Sequence, residues 1–314
     1  MTATIDSLIQ QPLQLCASHR RISEDVEQVL AHLTGSHLFQ PKLDGMRCLA
    51  IVNGGSTSLR SREGDDITRV YPEVVAALAK LNRKVVLDGE LVHYGPDGRP
   101  AFTAMSWRNS QRNAAAIARS AASVPVSFVA FDTLWYRKED LRTRPLVERL
   151  DALESLRLTQ TVQRCPSTED GLALWEQVQH LQLEGVVAKR SASRYTGQRS
   201  LDWIKVKTIH RASVIVGNVL ASERRAVGKV EVHVLDRGAL VPLGEVGTGW
   251  TMAELANVAR SVRRYAAAPD QLDPVVIDVD FAGRYPDGKL KFAAFKGLRT
   301  DIDWTSCTID QEGL

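Results

Sequence analysis

Four stretches of this chain put charged residues inside runs that otherwise read as buried β-strand. They are PKLDGMR (41–47), LDGEL (87–91), LEGVVAKR (183–190) and DWIKVK (202–207). Removing an ammonium or a carboxylate from water is costly unless a partner satisfies it. Such side chains must reach water or face a ligand. Alternate residues of a strand share a face, so Lys205 and Lys207 point the same way. Gathered on one sheet surface, the four stretches line a cleft with a lysine amine, further cations and two or three carboxylates. That set suits a triphosphate with a divalent metal: carboxylates hold the ion and cations neutralise phosphate oxygens.

Each stretch alone is weak. K-x-D-G marks a hairpin turn, Glu90 fits an edge-strand charge, Glu184-Gly185 fits a turn after a helix, and Lys205 with Lys207 fits a solvated strand face. In this order, each on a strand, they favour chemistry. Lys42 takes the special role. A free amine, with a pKa of roughly 10.4, is a poor nucleophile at neutral pH. Neighbouring cations and a metal depress that value. Attack on an α-phosphate would then give a covalent lysine–nucleotide adduct.

The chain has 314 residues, 44% apolar and 25% charged, which allows one large or two ordinary domains. The net charge of +3 is too mild to name a partner. The pairs Arg20-Arg21, Lys189-Arg190, Arg224-Arg225 and Arg263-Arg264 read as solvated basic faces. Four cysteines (16, 48, 165, 307) lack metal-ligand spacing, which fits reduced thiols and a cytoplasmic protein. The N-terminus has no signal-peptide pattern, and no apolar run reaches the ~18 residues of a membrane helix.

Helical spacing is expected over 22–34, over 71–81 with Val75, Leu78 and Ala79 on one face, and over 145–158 and 171–182. Residues 106–122 read as one exposed Ala-rich helix, either a plain surface helix or, from Arg108 to Ser123, a partner-facing element. Pro96–Arg99 is a hairpin turn. Near 207–213 the texture changes to short strands (213–221, 229–236, 239–247, 275–283) with one helix (251–266). That pattern suits a small closed barrel of the OB type.

These motifs resemble those of the covalent nucleotidyltransferases, and more closely the small two-domain ATP-dependent DNA ligases of bacteria and phages, from about Pro41 to Asp301. The resemblance implies an α+β fold: an ATP-grasp-like nucleotidyltransferase (adenylation) domain of antiparallel sheets with flanking helices at 1–207, then an OB-fold β-barrel at 208–314. Within KLDGMR it implies Lys42 as nucleophile and Arg47 in nucleotide binding. It puts Gln40 at the adenine edge, Arg62 near the ribose, and Glu90 of LDGELV at the ribose or metal. Phe131 of FVAFDTL would stack on adenine, Glu184 of EGVVAKR would support a metal, and Lys205 and Lys207 would bind phosphate. In the second domain Lys291, Arg299 and Asp301 would orient pyrophosphate, although Ile302 stands where the family usually has lysine.

The implied reaction uses ATP with Mg²⁺ or Mn²⁺. Lys42 takes AMP and releases pyrophosphate, AMP passes to the 5′-phosphate of a nick, and the 3′-hydroxyl displaces it. The implied partner is nicked duplex DNA, with a monomeric enzyme, no membrane, and a flexible joint near Thr208–Arg211. The alternatives are an RNA ligase, a GTP-dependent mRNA capping nucleotidyltransferase, or a catalytically silent DNA-binding relative. The WIKVK pattern (203–207) and GTGW (247–250) favour the DNA ligase. With only about 40 residues before Lys42, a nicotinamide-binding domain and hence an NAD-dependent ligase is disfavoured.

Overall fold

A computed structural model describes residues 5, 13–19, 25–222, 225–285, 287–311 and 313–314. Arg20-Arg21, Arg224 and the start of the helix expected from residue 22 lie outside the described residues. The chain divides into two compact units, Met1–Lys207 and Thr208–Leu314.

The described strands of the first unit are β1 (Leu15–Ser18), β2 (His37–Pro41), β3 (Met46–Asn53), β4 (Ser56–Ser61), β5 (Lys84–Val92), β6 (Ser127–Tyr136), β7 (Glu139–Asp140), β8 (Val162–Arg164), β9 (Gly185–Arg190) and β10 (Arg199–Lys207). They form two sheets, ordered β1-β10-β9-β2 and β4-β3-β5-β6-β7, with β8 added against β6. Only β1 on β10 and β8 on β6 pair in parallel. The rest of the pairing is antiparallel, as in β2 on β9 and β3 on β5.

Side-chain alternation sorts these strands into layers. On β3 and β5, Ala50, Val52, Val85 and Leu87 face a core that includes Val74 and Leu78 of the helix Pro72–Ala79 and Leu153 of the helix Leu146–Glu154. The intervening Leu49, Ile51 and Val86 face a different core, shared with Trp203 of β10. On the four-stranded sheet, Val186, Ala188, Ile204 and Val206 pack under the helices Val26–Leu33 and Gly171–His180. The unit is therefore helix, sheet, sheet, helix. Each fully buried Val, Leu or Ile contributes roughly 1.5–3 kcal/mol. The same period of two turns Arg47, Asp88, Lys205 and Lys207 toward the space between the sheets.

Two expectations need correction here. The buried face of the helix Pro72–Ala79 is Val74, Ala77 and Leu78, with Val75 partly buried and Ala79 exposed. Pro72 opens the first turn, and the core-facing stripe runs 74, 77, 78. The Ala-rich segment is two helices, Phe102–Asn109 and Ala114–Ser123. Asn113 caps the second, accepting from Ala116 N at 2.8 Å. Arg108, expected on an exposed surface, is fully buried. It donates to both oxygens of Glu73 at 2.9 Å and to Ser120 Oγ at 2.9 Å, bracing the helix pair against the helix Pro72–Ala79.

The second unit contains β11 (His210–Ser222), β12 (Arg225–Asp236), β13 (Ala239–Val246), β14 (Val276–Phe281) and β15 (Ala294–Arg299). Only Thr208 and Ile209 separate β10 from β11. The sheet is antiparallel in the order β13-β12-β11-β14-β15; the sequence pattern did not reveal β15. The helix Met252–Ala267 starts with a capping box from Thr251 and Glu254 and lays Leu255, Val258 and Val262 into the core. The expected closed barrel is not formed: β13 and β15 are the edges of an open path. A single bridge, Thr248 with Ala294, draws their ends together. The chain leaves β13 at Val246 and becomes helical at Met252, so too little strand remains to pair with β15.

Candidate active site

The segment Lys42–Gly45 crosses from β2 to β3, and so from one sheet to the other. Its first amide, Lys42 N, donates to Gly185 O at 2.8 Å. At its last position a Cβ would lie 2.3 Å from Leu91 O and 2.8 Å from Glu90 Cγ, so only glycine lets this turn close on β5. Register completes the arrangement: Arg47 pairs with Glu90, Gln40 and Lys205 with Val187, and Lys207 with Gly185.

The resulting pocket, of about 260 Å³, is lined by Gln40, Lys42, Arg47, Arg62, Glu90, Phe131, Lys205 and Lys207. Cys16, Cys165, Lys189, Arg199 and Trp203 also face it. Glu184 stands beside it, with Lys42 Nζ on one carboxylate oxygen and Lys207 Nζ 2.7 Å from the other. Lys42 is thus held as one half of an ion pair, and Glu184 as the centre of a lysine–carboxylate–lysine bridge.

The electrostatics follow from this packing. Burial pushes the Glu184 carboxyl up, but the Lys42 and Lys207 charges outweigh it and hold the group below its ordinary range. Glu90 goes the other way. Burial pushes it up to about 8, opposed by Lys42 and Arg47 and reinforced by Asp88 and Glu184. Lys205 is lowered, by burial first and then by Lys207. Arg47 is largely buried, yet Asp88 more than offsets the desolvation and raises it. The pair is bidentate, Nε to Oδ1 at 3.0 Å and Nη2 to Oδ2 at 2.6 Å.

Lys189 escaped the sequence reading, which placed the Lys189-Arg190 pair on a solvated face. Arg190 is exposed, but Lys189 is 2% exposed. Its Nζ donates to Phe131 O at 3.0 Å and lies 4.2 and 3.9 Å from the ring centres of Phe131 and Trp203. Burial lowers it to about 8. Strand alternation carried the signal: 189 shares its parity with Val187, which lines the pocket. Gln14 had no sequence signal at all, although it is fully buried and accepts a hydrogen bond from Arg47.

Lys291, Arg299 and Asp301 belong to the second unit, and the residues lining the pocket all belong to the first. Arg299 grips both oxygens of Asp301 at 2.8 Å and Asp278 at 2.8 Å. Lys291 Nζ lies 5.5 Å from the ring centre of Tyr285. Ile302 packs beside Ile215, Val276, Cys307 and Trp304, an apolar site that suits isoleucine better than an ammonium.

Among the described residues no group of three or more His, Cys, Asp or Glu could hold a metal ion. Magnesium typically takes one or two carboxylates and completes its shell with water and substrate phosphates. Glu90 and Glu184 fit an ion that arrives with a nucleotide. A carboxyl as strained toward neutrality as Glu90 gains from such a cation. Among the described residues no helix is long and apolar enough to cross a membrane.

A family model described as the ATP dependent DNA ligase domain matches residues 15–207. A probable DNA ligase of Streptomyces griseus subsp. griseus is 35% identical over 289 residues, 83% of this chain and 56% of the relative. Another, from Mycolicibacterium gilvum, is 32% identical over 311 residues, 91% of this chain and 60% of the relative. The chain therefore spans less than two thirds of the length of these curated relatives. Among solved structures, a mycobacterial DNA ligase D complexed with ATP and MES is 27% identical, with a TM-score of 0.55 over 96% of this chain and 98% of that one.

Proposed function

The chain belongs to the ATP-dependent DNA ligase family, and from that membership we propose that it seals 5′-phosphate/3′-hydroxyl nicks in duplex DNA through AMP carried on Lys42. The single observation that carries this reading is the pocket itself. One lysine amine, bridged to a carboxylate, stands in a cleft with six further cationic side chains and two aromatic rings.

Lys42 Nζ is first released from Glu184 and gives up a proton to solvent water, which it reaches through its partly exposed side chain. The nitrogen lone pair then attacks the α-phosphorus of ATP. An N–P bond forms, the bond to the pyrophosphate oxygen breaks, and the electron pair leaves with pyrophosphate. Lys205 and Lys207 neutralise phosphate oxygens, Phe131 stacks on the base, Gln40 meets its edge, and Arg47 and Arg62 hold the sugar and phosphate side. Glu90 and Glu184 would hold Mg²⁺, which supplies Lewis-acid neutralisation of the phosphates. Lys42 next passes AMP to the DNA 5′-phosphate, and the 3′-hydroxyl displaces it.

We read residues 1–207 as the adenylation domain and 208–314 as an OB-type domain that clasps DNA, with Lys291, Arg299 and Asp301 acting on the pyrophosphate. Five antiparallel strands with one helix support that reading without a closed barrel. Contacts to duplex DNA are then mainly to phosphates and weaken steeply with salt. A monomer suffices for this chemistry. Family membership favours this over an RNA ligase, a capping enzyme or a silent relative.

The test is intact-protein mass after mixing with ATP and Mg²⁺. The wild type gains one AMP and Lys42→Ala gains none, and a labelled nicked duplex is sealed by the wild type alone. If no ribonucleoside triphosphate leaves a nucleotide on Lys42, the reading fails.

A further inference from the structure

Gln14 lies outside all four charged stretches, on the short segment that leads into β1. It is fully buried, and every polar atom of its side chain is used. Oε1 accepts from Thr196 N at 3.0 Å, Thr196 Oγ1 at 3.0 Å and Gly197 N at 3.1 Å, while Nε2 donates to Ser200 Oγ at 3.2 Å. The next residue continues the attachment: Leu15 N donates to Gln198 O at 3.1 Å. β1 then runs beside β10 until Ser18 faces Lys205. One glutamine thus fastens this segment to the turn that precedes the lysine-bearing strand.

The main-chain oxygen of Gln14 does something else. It accepts from Arg47 Nη1 at 2.5 Å. A guanidinium has five N–H donors in a rigid fork. In Arg47 the Nε edge is held by Asp88, and Asp88 is itself held by Tyr195 Oη at 2.8 Å. A bidentate pair fixes one edge, with Tyr195 Oη 3.4 Å from Nη2 and the Phe131 and Trp203 ring centres 5.4 and 5.7 Å from the guanidinium carbon, and none of these contacts hydrogen-bonds the far nitrogen. The Gln14 carbonyl pins that far nitrogen and leaves one Nη1 hydrogen for the pocket that Arg47 lines.

We infer that Gln14 is a positioning residue for nucleotide binding: its side chain anchors the segment whose carbonyl holds Arg47 aimed at the sugar–phosphate part of a nucleoside triphosphate. The inference rests on the proposed function and adds a residue that acts through Arg47. Loss of the anchor lets Arg47 tilt about its Asp88 edge.

The experiment is a double-mutant cycle on ATP affinity, measured by calorimetry in the full chain with Lys42→Ala, so that binding is read without chemistry. Gln14→Leu weakens ATP by roughly tenfold or more, the size of one hydrogen bond to a charged group. Arg47→Ala weakens it at least as much. In the Arg47→Ala background, Gln14→Leu adds nothing further, because the group it positions is gone. A merely structural role would lower affinity equally in both backgrounds, and that multiplicative result overturns the inference. Should Gln14→Leu not fold, Gln14→Asn carries the same cycle, since its amide is one methylene too short to reach Thr196 and Gly197. A wild type that takes up AMP with multiplicative losses sinks this inference alone. A wild type with no AMP on Lys42 sinks the functional reading instead.

Discussion

Gly185 opens β9 directly after Glu184 and offers the sharpest perturbation of the site. Its φ is +148°, where an L side chain is strained by about 1–3 kcal/mol. A Cβ there would also lie 2.0 Å from Val206 O and 2.9 Å from Lys207 Cα. Real contacts of this kind stay beyond 3.0 Å, so β9 and β10 must part by about 1 Å, and forced overpacking costs about 1–3 kcal/mol more. Gly185→Ala is therefore expected to lose roughly 2–6 kcal/mol of unfolding free energy. The displacement falls on the chemistry as well. Gly185 pairs with Lys207, its carbonyl accepts from Lys42 N, and its neighbour Glu184 bridges both lysines. A misplacement near 1 Å costs on the order of 100-fold in rate. Urea unfolding and single-turnover AMP transfer to Lys42 measure the two effects. A variant that keeps its stability to within about 1 kcal/mol and transfers AMP within about threefold of wild type would refute the reasoning.

Arg149 and Asp132 are both fully buried, with paired contacts of 2.7 and 2.9 Å, so Arg149→Met strands a carboxylate and should cost roughly 3–5 kcal/mol in chemical denaturation; under about 1 kcal/mol would contradict this. Because the folded protein holds a proton on Glu90 up to about 8, against an ordinary value of 4.5, the unfolded chain releases it first as pH rises. The Glu90 contribution to metal-free stability should then be lost between those two pH values. Glu90→Gln should abolish that loss, and urea titrations at both ends of the window check it. Lys205→Ala and Lys207→Ala should each lose most AMP transfer while circular dichroism stays unchanged; near-normal transfer in both would remove the phosphate role.

The alternation of side chains along strands made much of the site readable. Lys205 and Lys207 share a face because they are two apart, and the same rule would have turned Lys189 inward had it not been grouped with its exposed neighbour Arg190. The two helices within 102–123 were harder, because nothing local shows that Arg108 is buried with Glu73 as its partner. Barrel closure depends on whether strand ends meet, and β15 carries Lys296 and Gly297 in place of a clean apolar alternation.

Residue order alone settled that Lys205 and Lys207 share one face of β10, since that is a periodicity of neighbouring positions. It did not settle which charges meet. Lys42 and Glu184 lie 142 positions apart, and Gln14 reaches across 182 to Thr196. Those partnerships exist because antiparallel register and the stacking of two sheets set them, and both are properties of the folded chain as a whole.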